Sequence, residues 1–180
     1  EGTNPKYTQQ SSSQLSQKGY GYSLSVQGAR HLHDAIPCQD HSLYTIDGDV
    51  VFLGVADGHG DVKHALSHIG SRLALEVAQP ILTDAIRTLT IPQTTREWLS
   101  FQNNIERRIR WDWNCACKKT LGLNDQDGTW IPELVQFGTT LLACCQSPGG
   151  LLCFQIGDGD IAWMSNDNNV HFVFSEPDDV

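Results

Sequence analysis

The chain has 180 residues, which is enough for one domain with a substantial buried core. It carries 12 Lys and Arg residues against 21 Asp and Glu residues, and the formal net charge of −9 disfavours nucleic-acid or anionic-membrane partners and suits metal cations. No apolar run approaches the ~18 residues of a membrane helix and no secretory pattern opens the sequence, so we predict a cytoplasmic protein.

The first 18 residues are rich in Ser and Gln and contain almost no apolar side chains. Such a composition cannot offset the entropy of ordering the chain, so we predict a flexible lead-in over residues 1–18 and a folded domain over residues 19–180. The cysteines show no Cys-x-x-Cys pairing, which predicts reduced thiols with structural roles. The cysteines are Cys38, Cys115, Cys117, Cys144, Cys145 and Cys153.

The first predicted strand of the domain covers residues 20–26, where aromatic or aliphatic residues alternate with small or polar ones. The alternation places the apolar side chains on one face of a half-buried strand. Residues 29–40 are predicted to form a loop that concentrates titratable groups, and loops with such chemistry often carry function. These groups are Arg30, His31, His33, Asp34 and Asp40.

The strongest chemical signal is an apolar run, residues 50–56, that ends at Asp57-Gly58-His59-Gly60. The run predicts a strand covered on both faces, preceded by a shorter strand and a turn. Gly58 lets the backbone approach a ligand closely, so its carbonyl is a candidate metal ligand beside the Asp57 carboxylate. His59 adds a group for proton transfer. The Asp-Gly pair is also an ordinary turn signal, and that structural interpretation stays open at this point.

Two amphipathic helices are predicted next. Apolar residues recur at spacings of three and four from Asp61 to Leu89, and Pro80 is expected to kink or divide this helix. Thr94 and Glu97 have the spacing of a capping box, which predicts the start of the second helix. The arginines of that helix are predicted to form a solvated face, the alternative being a substrate-binding surface.

Strands return in the last third of the chain. Residues 137–145 and 151–156 form a predicted hairpin across a Pro- and Gly-containing turn, and residues 161–164 and 170–174 are predicted to continue the sheet. This order of strands, then helices, then strands differs from alternating βαβ units. It predicts an α+β domain in which helices pack on antiparallel sheet.

Three predicted strand or loop ends carry carboxylates, at Asp40, Asp57 and Asp158. We hypothesise that these carboxylates converge in the folded domain. Two carboxylates near 4 Å repel by ~4 kcal/mol at an effective dielectric constant of about 20, so a shared cluster requires cations. Oxygen ligands without cysteine favour Mg²⁺ or Mn²⁺ over zinc.

These segments resemble, in order, the motifs of the metal-dependent Ser/Thr protein phosphatases of type 2C, in the form carried by bacterial members. Residues 56–60, Ala-Asp-Gly-His-Gly, are similar to the central signature, and residues 28–40 are similar to the first acidic motif. Residues 137–140, Phe-Gly-Thr-Thr, and residues 156–160, Ile-Gly-Asp-Gly-Asp, are similar to the two motifs that follow. The resemblance extends over about residues 20–175.

The resemblance implies an antiparallel β-sandwich flanked by helices, with two or three Mg²⁺ or Mn²⁺ ions at one end of it. Asp57 would bridge two ions, the Gly58 carbonyl would bind one, Asp40 would hold metal-bound water, and Asp158 would serve an additional ion. The implied reaction is hydrolysis of phosphoserine and phosphothreonine in proteins by a metal-activated water, with Asp57 and His59 as catalytic residues. His59 would be the acid for the leaving oxygen, or would orient the loop by hydrogen bonding.

Three departures from the family pattern bear on activity. Gln39 stands where many members have a glutamate, and Ala35 stands where eukaryotic members have a phosphate-binding arginine, for which Arg30 or His33 is a candidate substitute. Two later metal-binding aspartates of the family lack a clear counterpart, which predicts either a C-terminally incomplete domain or a divergent domain with an incomplete site. The alternatives to a phosphatase are a non-catalytic phosphatase-like module that binds a phosphoprotein or partner, and an unrelated Mg²⁺ hydrolase of small phosphoesters.

Overall fold

A computed structural model describes residues 9–16, 19–123 and 126–174 of the chain. The described strands are β1 (Gln9–Ser16), β2 (Gly19–Val26), β3 (His41–Asp47), β4 (Val50–Ala56), β5 (Leu141–Ser147), β6 (Gly150–Ile156), β7 (Ala162–Met164) and β8 (Val170–Phe172). The described helices are α1 (Ala29–His33), α2 (Ser67–Thr88) and α3 (Thr95–Thr120), with 3₁₀ segments at Val62–His64 and Pro132–Phe137.

The central layer is a four-stranded antiparallel sheet in the order β3-β4-β5-β6. Helices α2 and α3 pack together, and α2 lies against the sheet, which confirms the predicted α+β class with helices on antiparallel sheet. The predicted hairpin in the last third of the chain is also confirmed, with Ser147 opposite Gly150 across a two-residue turn.

Strand β4 buries only one of its faces. Val50, Phe52 and Ala56 are buried in the core beneath α2, whereas Leu53 and Val55 are exposed. The prediction of a strand covered on both faces is therefore wrong. An unbroken apolar run contains no periodicity, so the sequence cannot show which of its side chains remain accessible.

Helix α2 runs through Pro80 without being divided. Of the two predicted effects of Pro80, a kink or a division, division does not occur, and the break in helical structure falls earlier, between the 3₁₀ segment and Ser67. Asp61 caps that 3₁₀ segment, since its carboxylate accepts a hydrogen bond from the Lys63 amide at 3.3 Å. The arginines of α3 are exposed, and Arg110 pairs with Glu106 one turn earlier at 2.8 Å, which supports the solvated-face interpretation.

Helix α3 begins as its capping signal predicts. The Thr94 hydroxyl accepts a hydrogen bond from the Glu97 amide at 3.2 Å, and the Glu97 carboxylate reaches back to the Gln93 amide at 2.7 Å. We expect Thr94→Ala to lower the free energy of unfolding by about 1 kcal/mol, because the Glu97 amide loses its acceptor. Urea denaturation measures this loss, with Thr95→Ala, on the exposed first turn, as the control. Equal stability of the two variants would contradict the capping role.

Strand β1 pairs with β2 as a separate two-stranded sheet. The predicted flexible lead-in thus differs from the structure at residues 9–16, while residues 1–8 and 17–18 lie outside the described residues. The predicted alternation in β2 is present, but Ser23 and Ser25 are the buried residues and the apolar side chains beside them are exposed. The cause is close approach to β3, since a side chain at Gly21 would lie 2.3 Å from the ring of Tyr44.

Strands β7 and β8 pair with each other and do not extend the central sheet, so that prediction is wrong. The chain turns away because Gly157 and Gly159 adopt positive φ angles of 92° and 95°. The Asp160 carboxylate then accepts hydrogen bonds from the amides of Val173 and Phe174, at 3.2 and 3.0 Å, and closes a local hairpin. In the part of the chain that the structure describes, no helix is long and apolar enough to cross a membrane.

Candidate active site

A cleft of about 390 Å³ lies where β2, the outer ends of β3 and β4, and the segment after β6 meet. Asp40, Asp57 and Asp158 all line it, together with the side chain of Thr140. The three carboxylates therefore converge on one shared cleft, as hypothesised. No Lys or Arg among the described residues lines this cleft, so its three carboxylates give it an acidic character.

Asp40 and Asp57 are neighbours because of the register between β3 and β4. His41 lies opposite Ala56 at the end of the ladder, so the next residue of each chain segment, Asp40 and Asp57, leaves the sheet at the same place. Burial of Asp40, followed by its hydrogen bond and charge interaction with Asp57, raises the pKa of the Asp40 carboxyl. The two acids thus form a close pair of like charge.

The backbone of Asp57 is fixed by the segment that precedes β5. The Thr140 amide donates to the Asp57 carbonyl at 2.8 Å, and the Asp57 amide donates to the Thr140 hydroxyl at 3.1 Å. The hydroxyl of Thr139 donates to the same carbonyl at 3.0 Å. The two threonines were part of a matching motif in the sequence, but their role in positioning Asp57 follows only from these contacts.

Gly58 lies opposite Thr139 in an isolated antiparallel bridge. The flanking bonds, from Thr140 to Asp57 and from His59 to Gly138, make this a non-hydrogen-bonded pair, so the Gly58 carbonyl points away from Thr139. A side chain at Gly58 would lie 2.6 Å from the backbone oxygen of Gln39. Only glycine therefore permits this close approach of the two backbone segments.

Gln39 is buried and ties the reactive loop to helix α2. Its side-chain amide donates to the His59 carbonyl at 3.1 Å and to the Ser67 hydroxyl at 2.8 Å. The Gln39 carbonyl in turn accepts from the Ser71 hydroxyl at 2.6 Å. The position that holds a glutamate in many family members is thus occupied here by a structural hydrogen-bond donor.

A test of this assignment is Gln39→Glu, which has the same shape but cannot donate when ionised. We expect a loss of about 2 kcal/mol in the free energy of unfolding at neutral pH, because the His59 carbonyl loses its donor and a buried carboxylate faces it. Urea denaturation at pH 7 measures the change, with Gln102→Glu, at an exposed position of helix α3, as the control. A Gln39→Glu protein as stable as the parent would show that the donor role is dispensable.

The imidazole of His59 lies outside the carboxylate cleft. It contacts the ring of His64, with centroids 4.6 Å apart in an edge-to-face arrangement. Both histidines line a different, mostly apolar cavity of about 270 Å³ between the sheet and α3. The Asp57 and His59 backbones are adjacent while their side chains face separate cavities, so the sequence placed the two residues together but could not give the direction of the imidazole.

Neither candidate substitute for a phosphate-binding arginine faces the cleft. Arg30 lies on the exposed helix α1, which occupies part of the predicted loop, and its guanidinium is 3.7 Å from Asp34. His33 contacts the same carboxylate at 2.7 Å. Ala35, at the position of the family's arginine, follows with a positive φ of 54°.

The fit of a metal ion rests on the donor set. Within residues 9–16, 19–123 and 126–174, no group of three or more His, Cys, Asp or Glu side chains is close enough to hold one ion. The Asp40–Asp57 pair nevertheless fits Mg²⁺ or Mn²⁺, since Mg²⁺ sites typically use one or two carboxylates and keep several waters. Asp158 lines the same cleft without joining the pair.

The described residues form an α+β fold with an acidic cleft at one end of an antiparallel sheet. A family model described as Protein phosphatase 2C matches residues 27–179. The chain therefore belongs to the protein phosphatase 2C family, which confirms the resemblance of its motifs. No curated protein and no solved structure matched the chain.

Proposed function

We propose that this domain is a Mg²⁺- or Mn²⁺-dependent protein Ser/Thr phosphatase that acts on phosphoproteins in the cytoplasm. The observation that carries the proposal is the Asp40–Asp57 carboxylate pair, which lies in an open acidic cleft of a phosphatase-family domain. A close pair of like charges favours a bound metal, which relieves the repulsion between the two acids.

In this proposal Asp40 and Asp57 hold the cation, and the Gly58 carbonyl is a further ligand because it points out of its strand pair. Asp158 serves a second position in the same cleft. When bound, the metal would activate water and stabilise charge on the transferred phosphoryl group. Thr139 and Thr140 keep the Asp57 backbone in place, so the carboxylate is oriented before any ligand arrives.

His59 is proposed as the acid that protonates the leaving Ser or Thr oxygen. Its imidazole must leave the contact with His64 to reach the cleft, because the two rings line the other cavity. If His59 instead orients the loop, it does so through this contact with His64. His59→Gln separates the two roles, since loss of an acid changes the alkaline limb of the pH–rate profile, whereas loss of loop support lowers stability with the profile unchanged.

The test of the proposed function is release of inorganic phosphate from a phosphothreonine peptide, with and without Mn²⁺ and after chelation with EDTA. We expect release that requires the metal and is much slower with a phosphotyrosine peptide of the same sequence. Metal-dependent release from p-nitrophenyl phosphate but from neither peptide would favour the hydrolase of small phosphoesters.

The second candidate function is the non-catalytic module that binds a phosphoprotein or partner. The observation in its favour is that fewer than three potential side-chain ligands group closely among the described residues. Saturable binding of the phosphothreonine peptide by calorimetry, with no phosphate release in Mn²⁺, would support this module and contradict the phosphatase.

A further inference from the structure

The hairpin of β5 and β6 carries a pair of cysteines that the candidate active site does not use. Cys144 lies directly opposite Cys153 in the register of the two strands. The pair Ser147 and Gly150 closes a two-residue turn and is hydrogen-bonded, and such pairs alternate along an antiparallel ladder. Counting from the turn, Cys144 and Cys153 form a non-hydrogen-bonded pair, which is the kind with the closer side chains.

This geometry falls within the range of a disulfide bond. Opposite residues of a non-hydrogen-bonded pair have Cα atoms ~4.5 Å apart, and disulfides span Cα separations of about 4.4 to 6.8 Å. The two thiols already interact, since the hydrogen bond between them lowers the pKa of Cys153 and raises that of Cys144. Little movement of the strands is needed to join the sulfur atoms.

The pair is also accessible, in contrast to the adjacent cysteine. Cys144 and Cys153 are both partly exposed, on the sheet face where Leu53, the β4 neighbour of Cys144, is exposed. Cys145 points to the opposite face and is fully buried, and burial raises its pKa to about 12. A small oxidant can therefore reach the cross-strand pair and not the neighbouring thiol.

We propose that Cys144 and Cys153 are a reversible dithiol–disulfide site whose oxidant is a low-molecular-weight disulfide such as oxidised glutathione. The Cys153 thiolate attacks one sulfur of the oxidant, forming a mixed disulfide and releasing one glutathione thiolate, which takes up a proton. Cys144 then loses its proton and attacks the Cys153 sulfur, which expels the second glutathione. The protein loses two hydrogens, and the oxidant is reduced to two thiols. The proposal does not depend on phosphatase activity.

The folded chain is incubated with oxidised glutathione and then denatured in guanidinium chloride that contains N-ethylmaleimide, which blocks every remaining free thiol, including the buried Cys145. Residues 120–180 contain no Lys or Arg, so trypsin leaves Cys144, Cys145 and Cys153 on one peptide. We expect that peptide to have lost two hydrogens and to carry one maleimide group, on Cys145. Dithiothreitol before blocking should restore three maleimide groups. Three groups without reduction would overturn the proposal.

The partner of Cys153 is identified by cleavage between the strands. Chymotrypsin cuts at Leu151 and Leu152, so an unreduced digest of the wild-type protein keeps Cys153 attached to the Cys144 segment only if they are bridged. Cys145→Ser should retain this link and Cys144→Ser should lose it. The reverse pattern, or in the wild type a fragmentation spectrum that places the bridge on Cys145, would overturn the assignment even if a variant does not fold.

Discussion

Replacement of Asp57 by asparagine is expected to reduce metal-dependent phosphate release by a factor on the order of 10³. The substitution removes one negative charge from the Asp40–Asp57 pair, and a unit charge near 4 Å contributes ~4 kcal/mol at an effective dielectric constant of about 20. Each ~1.4 kcal/mol lost from transition-state stabilisation slows a reaction about tenfold. The measurement is kcat/KM for a phosphothreonine peptide at saturating Mn²⁺.

The same variant gives a second readout that a purely structural role would not produce. Without metal, Asp57→Asn should be at least as stable as the parent, because the charge that helps to raise the Asp40 pKa is gone. With Mn²⁺, the parent should gain thermal stability, by about 2.7 kcal/mol when the metal is at 100 times its dissociation constant, and the variant should gain far less. Substitution of a metal ligand should thus weaken Mn²⁺ binding while the protein stays folded.

Asp49→Asn is the matched control for this experiment. Asp49 is exposed in the turn at the far end of the same β3–β4 hairpin, and it does not line the carboxylate cleft. Its substitution should leave both the Mn²⁺ response and phosphate release within about twofold of the parent. Full activity of Asp57→Asn, or an equal loss in Asp49→Asn, would contradict the assignment of Asp57 as a metal ligand.

The sequence predicts where Asp57 and Asp40 lie on their strands but not that they meet. Their proximity depends on the β3–β4 register, in which His41 faces Ala56, and a shift by one residue would turn the side chains to the other face of the sheet. The turn between the strands limits the register only after its type is known. The sequence therefore supported the hypothesis that the two carboxylates converge, but it could not give the distance or the orientation between them.

The direction of individual side chains was the least predictable feature. His59 follows Asp57 by two residues, yet its ring packs on His64, which reaches the site from another segment and is held by the Val135 carbonyl at 2.5 Å. Gln39 looked like a substituted metal ligand because only its position in a motif was visible. Its hydrogen bond to Ser67 requires helix α2 to be in place, and no local pattern contains that information.

Of the two glycine-to-alanine variants proposed here, Gly70→Ala is expected to be clearly destabilising, although it adds only one methyl group. In an ordinary helix interior, this substitution would stabilise the protein by about 0.5 to 1 kcal/mol. Here the new Cβ would lie 1.9 Å from the Phe137 carbonyl oxygen, and a backbone atom cannot rotate away as a side chain can. We therefore expect the opposite sign, a loss of about 3 kcal/mol, seen as a lower urea midpoint.

Gly28→Ala is the control, because a side chain there meets no atom within 4 Å and its φ of −64° suits any residue. Its effect should stay below about 1 kcal/mol. Gly70 also accepts a hydrogen bond from the Trp113 indole at 3.1 Å, so displacement of α2 at this point disturbs its packing on α3 as well. A Gly70→Ala protein as stable as the parent would show that α2 does not approach the Phe137 backbone this closely.

The consequence of Gly70→Ala extends from stability to the candidate site. Phe137 is followed by Gly138, whose carbonyl accepts from the His59 amide at 3.0 Å, and then by the threonines that hold Asp57. A carbonyl displaced from α2 moves this segment, and misplacement of a catalytic group by 1 Å can lower a rate by about 10²-fold. At a temperature where the variant is fully folded, phosphate release should therefore still be slower than in the parent. The reason is that the contact between α2 and Phe137 also sets the position of the Asp57 loop.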